Sequence, residues 1–418
     1  MRTALLLMVV ALVATSCSNS ENTDDAGDST SAAASAPDEV AEPSASAGSV
    51  ADVEAFDYSV VDYDLEPKGS ALRGDRRSEA FPPPVVSPGD IVSGGPPPDG
   101  IPPIDAPVFA SIGDVSFIDD DNEGVVVVEI NGEVKAYPIR ILIWHEIVND
   151  EIGGVPVTVT YCPLCNSALV FERQFGERLL DFGTSGELYQ SALVMYDRQT
   201  ESLWAHFTGE GLVGHYAGAQ LQLVPAQTLG WGSFVEAFPT AQVLTQDTGV
   251  DRRYGENPYV GYDNASSDPI GAFISQPIDS RLLALDRVVG VIDDSETYAV
   301  LLEDLAADGA VEINEGSRPL VVMHTPGLNS SLEDGAIAGG RDVGQTGVYV
   351  ARAEDRSPLT FTKNGDSFLD TETGSTWNIL GMATDGPLAG EVLQAVPHLD
   401  TFWFSWSTYQ PDHILVTP

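Results

Sequence analysis

The feature that most constrains the fold of this chain is an internal repeat. PVTVTYCPLCNS (residues 156–167) matches PLVVMHTPGLNS (residues 319–330) without a gap. Further matches follow in the same order: DRQTESLW (197–204) with DTETGSTW (370–377), residues 209–225 with 381–397, and Trp231 and Pro239 with Trp403 and Pro411. Ordered matches of this kind are typical of two copies of one structural unit. We predict a first repeat over 95–246, a linker over 247–279 and a degenerate second repeat over 280–418.

The local patterns favour an α+β, β-dominated fold for each copy. VVVVEINGEVKAYPI (125–139) predicts a hairpin, because two β-prone runs flank an Asn-Gly turn. RILIWHEIVND (140–150) predicts one short helix from its apolar spacing. PVTVTY (156–161) then alternates as a strand, which we expect to end just before Cys162. Short strands of this kind with few helices indicate the α+β class.

The N-terminus has the layout of a lipoprotein-type signal over residues 1–17. One basic residue and an apolar run precede small residues and Cys17, which would carry the lipid. Residues 18–60 are rich in Ser, Ala and acidic residues, which predicts a disordered tether. We therefore expect an exported lipoprotein on the outer side of the cytoplasmic membrane, attached to the membrane by its lipid. An ordinary secretory signal cut nearby is the alternative.

The net charge limits the classes of partner that the chain can bind. The chain has 19 Lys and Arg against 63 Asp and Glu, a formal charge of −44. A surface this acidic repels nucleic acid and anionic lipid headgroups, so we expect neither as a partner. Solubility in a salty habitat explains such a charge better than a dedicated cation-binding surface. A small molecule or a metal stays open as a ligand.

The two cysteines in YCPLCNS distinguish the copies. Where the first copy has Cys162 and Cys165, the second has Thr325 and Leu328, although the neighbouring Pro, Asn and Ser recur. The loop can therefore be built without sulfur. This asymmetry favours a function for the thiols that belongs to the first copy.

Motifs across the chain resemble a bacterial and archaeal family known as domain of unknown function 3179. They are HEIVND, VTYCPLCNSA, DFGTSG, LVMYDRQTESLW and a Gly-rich run ending in LVP. The resemblance implies the family's fold and a Tyr-Cys-Pro-Leu-Cys signature, but no settled activity. It also implies that Cys162 matters more than Cys165, since some members replace the second cysteine. At His206, the family more often has Gln.

Three interpretations of the cysteine pair stay open. His145, Cys162 and Cys165 would be a soft donor set for copper or zinc, with a fourth position for His206, His215, Met195, water or substrate. The thiols could instead exchange with disulfides, which would make Cys162 and Cys165 catalytic. Finally, they could form a structural disulfide in a ligand-binding or scaffold module, with His145 half-buried and Glu146 facing water.

Overall fold

The computed structural model describes residues 56–270, 273–293, 296–352 and 358–417. The predicted signal, Cys17 and residues 18–55 of the tether lie outside the described residues. The last five residues of the predicted tether belong to the folded part, which corrects its boundary. Tyr58–Val60 form a 3-10 helix, and the Tyr58 hydroxyl donates a hydrogen bond to the Pro83 carbonyl at 2.9 Å.

The first half of the described chain, up to residue 244, contains sixteen strands and two α-helices. Helix α1 is Ile139–His145 and helix α2 is Trp231–Ala237. The strands are β1 Val92–Ser93, β2 Phe109–Ser111, β3 Gly124–Ile130, β4 Glu133–Pro138, β5 Ile147–Ile152, β6 Val155–Cys162, β7 Ser167–Glu172, β8 Gln174–Phe175, β9 Arg178–Leu179, β10 Phe182–Tyr189, β11 Ala192–Asp197, β12 Leu203–Ala205, β13 Gly211–Val213, β14 Leu223–Val224, β15 Gln227–Gly230 and β16 Gln242–Leu244.

The second half, as far as the structure describes it, follows a similar order of elements. Helix α3 is Leu302–Asp308 and helix α4 is Trp403–Tyr409. The strands are β17 Arg287–Asp293, β18 Glu296–Leu301, β19 Ala310–Ile313, β20 Leu320–Thr325, β21 Gln345–Val350, β22 Phe361–Asn364, β23 Ser367–Asp370, β24 Thr376–Trp377, β25 Ala383–Asp385, β26 His398–Phe402 and β27 Ile414–Val416. Strands thus dominate the structure, in agreement with the predicted α+β class.

Among the described residues, each half builds three sheets of three or more strands. Those of the first half have the strand orders β15-β3-β4-β16-β2, β14-β7-β6-β5 and β1-β10-β11-β12-β13, and β8 and β9 pair separately. Those of the second half have the orders β26-β17-β18-β27, β19-β20-β21 and β22-β23-β24-β25. In each half a hairpin is followed by a helix, and a late strand pairs in parallel with the hairpin: β16 with β4, and β27 with β18.

The predicted hairpin over residues 125–139 is confirmed. Strands β3 and β4 pair antiparallel from Val125 opposite Pro138 to Ile130 opposite Glu133. Asn131 and Gly132 form the turn with φ of 52° and 82°, the left-handed backbone that Asn and Gly tolerate best.

The predicted helix over 140–150 is correct only in its first half. Helix α1 ends at His145, and the next residue begins the turn into strand β5. Glu146 ends the helix with φ of 60°, and its N–H bonds to the Leu142 carbonyl at 2.7 Å. The apolar residues after it pack as a strand against β6, so tertiary pairing overrides the helical spacing.

One hydrogen-bonded network occurs in both halves. Asp197 accepts hydrogen bonds from the Thr200 N–H at 2.6 Å and the Trp204 indole N–H at 2.9 Å. Asp370 accepts the matching bonds from the Thr373 N–H at 2.6 Å and the Trp377 indole at 2.8 Å. These distances agree because both networks use the same residue types at the same spacing.

The two halves share apolar cores. The largest buried cluster includes Tyr161, Cys162 and Cys165 from the first half with Phe402 and Trp406 from the second. A chain packed in this way buries the cysteine loop between its halves. Among the described residues, no helix has both the length and the apolar character needed to cross a bilayer.

Candidate functional site

The candidate site is the loop that joins β6 to β7. Cys162 is the last residue of β6 and pairs with Ser167, the first residue of β7. The chain reverses within the four intervening residues because Asn166 adopts a left-handed φ of 49° and its N–H bonds to the Pro163 carbonyl at 3.3 Å. The matching strands of the second half differ here. Thr325 pairs with Gln345, so a long loop replaces the tight turn even though the sequence match continues to Ser330.

The second half and the segment between the halves hold this loop in place. The Cys165 carbonyl accepts hydrogen bonds from the Thr401 hydroxyl at 2.7 Å and the Phe402 N–H at 3.2 Å. The Leu164 carbonyl accepts one from the Tyr262 hydroxyl at 2.9 Å. The second half therefore positions the thiols without contributing sulfur.

Cys162 is the thiol whose ionised form is favoured. Its side chain is buried, with 2% of the residue exposed, and this burial opposes ionisation. Hydrogen bonds outweigh the burial and lower the pKa of Cys162: one comes from the Cys165 side chain, and others come from backbone N–H groups, including that of Leu193 at 3.4 Å. A thiolate is the form of cysteine that attacks electrophiles.

Cys165 favours its protonated form. The residue is fully buried, and this burial, followed by the neighbouring Cys162, raises the pKa of Cys165 well above its ordinary value. Its sulfur lies 2.9 Å from the Ser167 hydroxyl oxygen and 3.7 Å from the Cys162 carbonyl oxygen. Both cysteines are free thiols in this structure. The pair therefore consists of a thiolate-prone sulfur and a protonated thiol in contact.

The His206 ring is connected to this pair of cysteines through Ser167. Its Nε2 is 2.9 Å from the Ser167 hydroxyl, so the ring is linked to Cys165 through one serine. Burial lowers the pKa of His206 to about 3, despite the small opposing effect of Ser167, so the ring is neutral at ordinary pH. Its Nδ1 finds no hydrogen-bond partner among the residues that the structure describes.

Glu146 is the residue that sequence reasoning missed. In the structural-disulfide interpretation it faces water, but only 7% of the residue is exposed. Its carbonyl accepts the Tyr161 N–H at 2.9 Å, which fixes it beside the end of β6. Burial, and then the charge of Cys162, raise the pKa of Glu146 well above its ordinary value. The sequence signal for Glu146 was its position between helix α1 and strand β5, the strand that pairs with β6.

His145 does not join the cysteines. Its Nδ1 lies 2.7 Å from the Pro102 carbonyl and its Nε2 lies 2.6 Å from the Tyr254 hydroxyl, so both ring nitrogens have other partners. Within the described ranges, no group of three or more His, Cys, Asp or Glu side chains is arranged to hold a metal ion. The expected ligand set of His145, Cys162, Cys165 and His206 is thus not assembled here. Copper or zinc binding stays a prediction from the sequence.

The segment predicted as a linker, residues 247–279, contributes residues that cover the site. Tyr259 lies close enough to Glu146 and Cys162 for their charges to raise the pKa of its hydroxyl further, beyond the larger effect of burial. Asp263 anchors the segment, because its carboxylate accepts hydrogen bonds from Arg287 at 2.8 Å and Arg341 at 3.1 Å. These ion pairs explain why an acidic segment folds inward.

Comparison with known proteins gives a family but no characterised relative. The model of a family described as "Protein of unknown function (DUF3179)" matches residues 98–413. The chain belongs to the DUF3179 family. Within this DUF3179 protein the match runs from residue 98 to residue 413, so Cys162, Cys165 and the tyrosines packed near them, Tyr259, Tyr262 and Tyr409, lie inside the family region. No curated protein and no solved structure matches the chain.

Proposed function

We propose that Cys162 and Cys165 form a redox-active pair that cycles between two thiols and one disulfide. The observation that carries this proposal is geometric: the two cysteine side chains are hydrogen-bonded to each other on one tight turn, the Leu193 N–H lies 3.4 Å from the Cys162 sulfur, and the Ser167 hydroxyl lies 2.9 Å from the Cys165 sulfur. The lowered pKa of Cys162 and the raised pKa of Cys165 agree with this arrangement. A nucleophilic thiolate beside a protonated partner is the arrangement that two-step thiol chemistry requires. Between the open interpretations, this geometry favours redox chemistry over the metal set.

The proposed step uses an oxidant with a weak S–S or O–O bond. The Cys162 thiolate attacks one atom of that bond and forms a new bond to it; the S–S or O–O bond breaks, and the other atom leaves with a proton taken from solvent. The Cys165 sulfur then attacks the Cys162 sulfur and forms the disulfide. The group on Cys162 leaves with the Cys165 proton. The pair loses two electrons, the oxidant gains two, and an external dithiol reverses the change.

A redox titration tests this proposal. The full chain is equilibrated with dithiothreitol at graded ratios of reduced to oxidised form, then quenched in acid and alkylated. Trypsin releases residues 141–173 as one fragment that carries both Cys162 and Cys165, because no Lys or Arg lies between Arg140 and Arg173. We expect one two-electron transition between dithiol and disulfide in this fragment. A pair that stays in one form at every ratio would contradict the proposal, and Cys165→Ser is the control that must lack the transition.

We further propose that the chain is exported and anchored through lipid on Cys17, on the outer side of the cytoplasmic membrane. The apolar run and the small residues before Cys17 support this. Wild-type cells grown with labelled palmitate should incorporate label into the chain, and cells expressing Cys17→Ser should not. Equal labelling of the two would reject the anchor.

We also infer that the two halves are copies of one unit and that the second copy has lost the sulfur. The sequence matches, the parallel order of elements and the two Asp-Thr-Ser-Trp networks support this inference. In this proposal the second copy positions the cysteine loop of the first copy, because Thr401 and Phe402 donate hydrogen bonds to the Cys165 carbonyl. An experimental structure in which the halves do not superpose would overturn it.

A further inference from the structure

A small cleft lies between the two halves, beside the turn from β6 to β7. Its polar lining includes Tyr161, Asn166 and Thr228 from the first half and Arg287, Asn329 and Asp400 from the second. The volume of the cleft is about 30 Å³, which holds about two or three water molecules. Thr228, Asn329 and Asp400 are half-buried, so the cleft is in contact with solvent. A ligand bound here can have only a few heavy atoms.

Arg287 and Asp400 place opposite charges on the same side of this cleft. Asp400 lies opposite Val289 in the antiparallel pairing of β26 with β17, and Arg287 is two residues before Val289. Since side chains alternate along a strand, Arg287 and Asp400 project from the same face of the sheet. Burial raises the pKa of Asp400, and the charges of His398 and Arg287 oppose this effect because both residues lie close to the carboxylate. A guanidinium and a carboxylate therefore line one small space.

These side chains have hydrogen-bonding capacity that the described residues leave unused. Arg287 donates from Nε and Nη2 to Asp263 at 3.0 and 2.8 Å, but its Nη1 has no partner among the residues that the structure describes. The Asn166 side chain accepts a hydrogen bond on Oδ1, and its Nδ2 has no acceptor in the same described set. Within that set, Asp400 accepts only from the Thr346 hydroxyl, at 3.0 and 3.2 Å. The cleft thus offers two donor groups and one carboxylate acceptor.

The carboxylate in this cleft occurs in the second half only. The sequence match between the halves continues without a gap through β15 and β26 to Trp231 and Trp403. In this register Asp400 corresponds to Thr228, and both residues line the cleft. A strand at this position can therefore be built without a charged side chain. This difference favours a binding role for Asp400 over a role in forming the strand.

We propose that this cleft binds a small primary amide such as acetamide. The carbonyl oxygen of the ligand accepts hydrogen bonds from Arg287 and Asn166, and its amide N–H groups donate to Asp400. A neutral ligand fits because the charges of Arg287 and Asp400 balance, so a bound ion of either sign would be buried without a counter-charge. The site is independent of the redox chemistry proposed for Cys162 and Cys165.

Equilibrium dialysis of the full chain against radiolabelled acetamide tests this site. A ligand of four heavy atoms binds no tighter than about 40 µM, so the titration runs from about 10 µM to about 10 mM. We expect saturable binding of one acetamide per chain, and weaker binding of radiolabelled acetate, methylammonium and glycine, which are an anion, a cation and a zwitterion of similar size. Equal or tighter binding of any of these three would overturn the amide as the ligand. Saturable binding of none of the four would reject the site, because the cleft would then hold water only.

Two variants assign the binding to this cleft. Asp400→Asn should weaken acetamide binding by about 10-fold, the lower end of what a hydrogen bond to a charged group contributes. Ala168→Val adds two methyl groups at a residue that lines the cleft, so it should abolish binding. Asp385→Asn, at an exposed aspartate on β25, is the matched control and should bind acetamide like wild type. Circular dichroism checks that each variant folds, and wild-type affinity in either cleft variant would overturn the proposal.

Discussion

Replacing His206 with glutamine should make the protein markedly less sensitive to acid. The unfolded chain binds a proton at His206 near the ordinary histidine pKa of 6.5, but the folded chain does so only near 3. Between these values the unfolded state holds more protons, so wild-type stability falls as the pH is lowered. The free energy of unfolding of wild type should fall relative to that of His206→Gln by about 1.4 kcal/mol per pH unit, or about 3 kcal/mol from pH 6.5 to pH 4.

Urea unfolding at a series of pH values, followed by tryptophan fluorescence, measures this difference. Ser167→Ala is the control: it removes the hydrogen bond to Nε2 but keeps the buried imidazole, so it should retain the acid sensitivity of wild type. Parallel stability curves for wild type and His206→Gln would show that the imidazole is not held neutral in the folded state.

Replacing Asp197 with alanine should destabilise the protein by about 3 kcal/mol or more. The substitution leaves the Trp204 indole N–H and the Thr200 N–H without their acceptor in a region with no solvent exposure at Asp197. Each buried donor left unpaired costs about 1 to 3 kcal/mol. The measurement is the free energy of unfolding from urea denaturation.

Asp370→Ala is the matched variant in the second half. It removes the same bonds to Trp377 and Thr373, so its cost should be of the same size.

The pKa shifts of the two aspartates differ. Burial raises the pKa of Asp197, whereas at Asp370 burial is outweighed by the hydrogen bonds from Trp377 and Thr373, which lower the pKa. The contribution of the Asp370 charge should therefore disappear as the pH falls below the ordinary aspartate pKa of 3.8. A cost below about 1 kcal/mol for either variant would contradict a structural role for its network.

The sequence identified the fold class for physical reasons that act locally. The Asn-Gly turn and the β-branched runs around it specify the hairpin of β3 and β4, because their backbone preferences act within a few residues. The same kind of reasoning failed at residues 146–150. Ile147 and Val148 have helical spacing, but pairing with β6 places them in a strand.

The residues that surround the thiols depend on packing between distant segments. His145 has the donor type of a metal ligand, yet its ring bonds to Pro102 and Tyr254 and is unavailable to the cysteines. Glu146, which lies in the motif HEIVND but was given no role there, is buried near Cys162 because the turn after α1 points back toward β6. A difference of one position along the chain thus separates the predicted ligand from the carboxyl that is buried near Cys162.

By itself, the sequence determined that this protein is β-rich, that its motifs recur, and that cysteine occurs in only one of the two matching segments. Only the tertiary structure decided the environment of that sulfur: the backbone N–H groups that favour the Cys162 thiolate, the serine and histidine behind Cys165, and the tyrosines that cover both. The reason is that thiol reactivity depends on burial and on nearby donors. These come from β11, α4 and the segment between the halves, which are far from residues 162–165 in sequence.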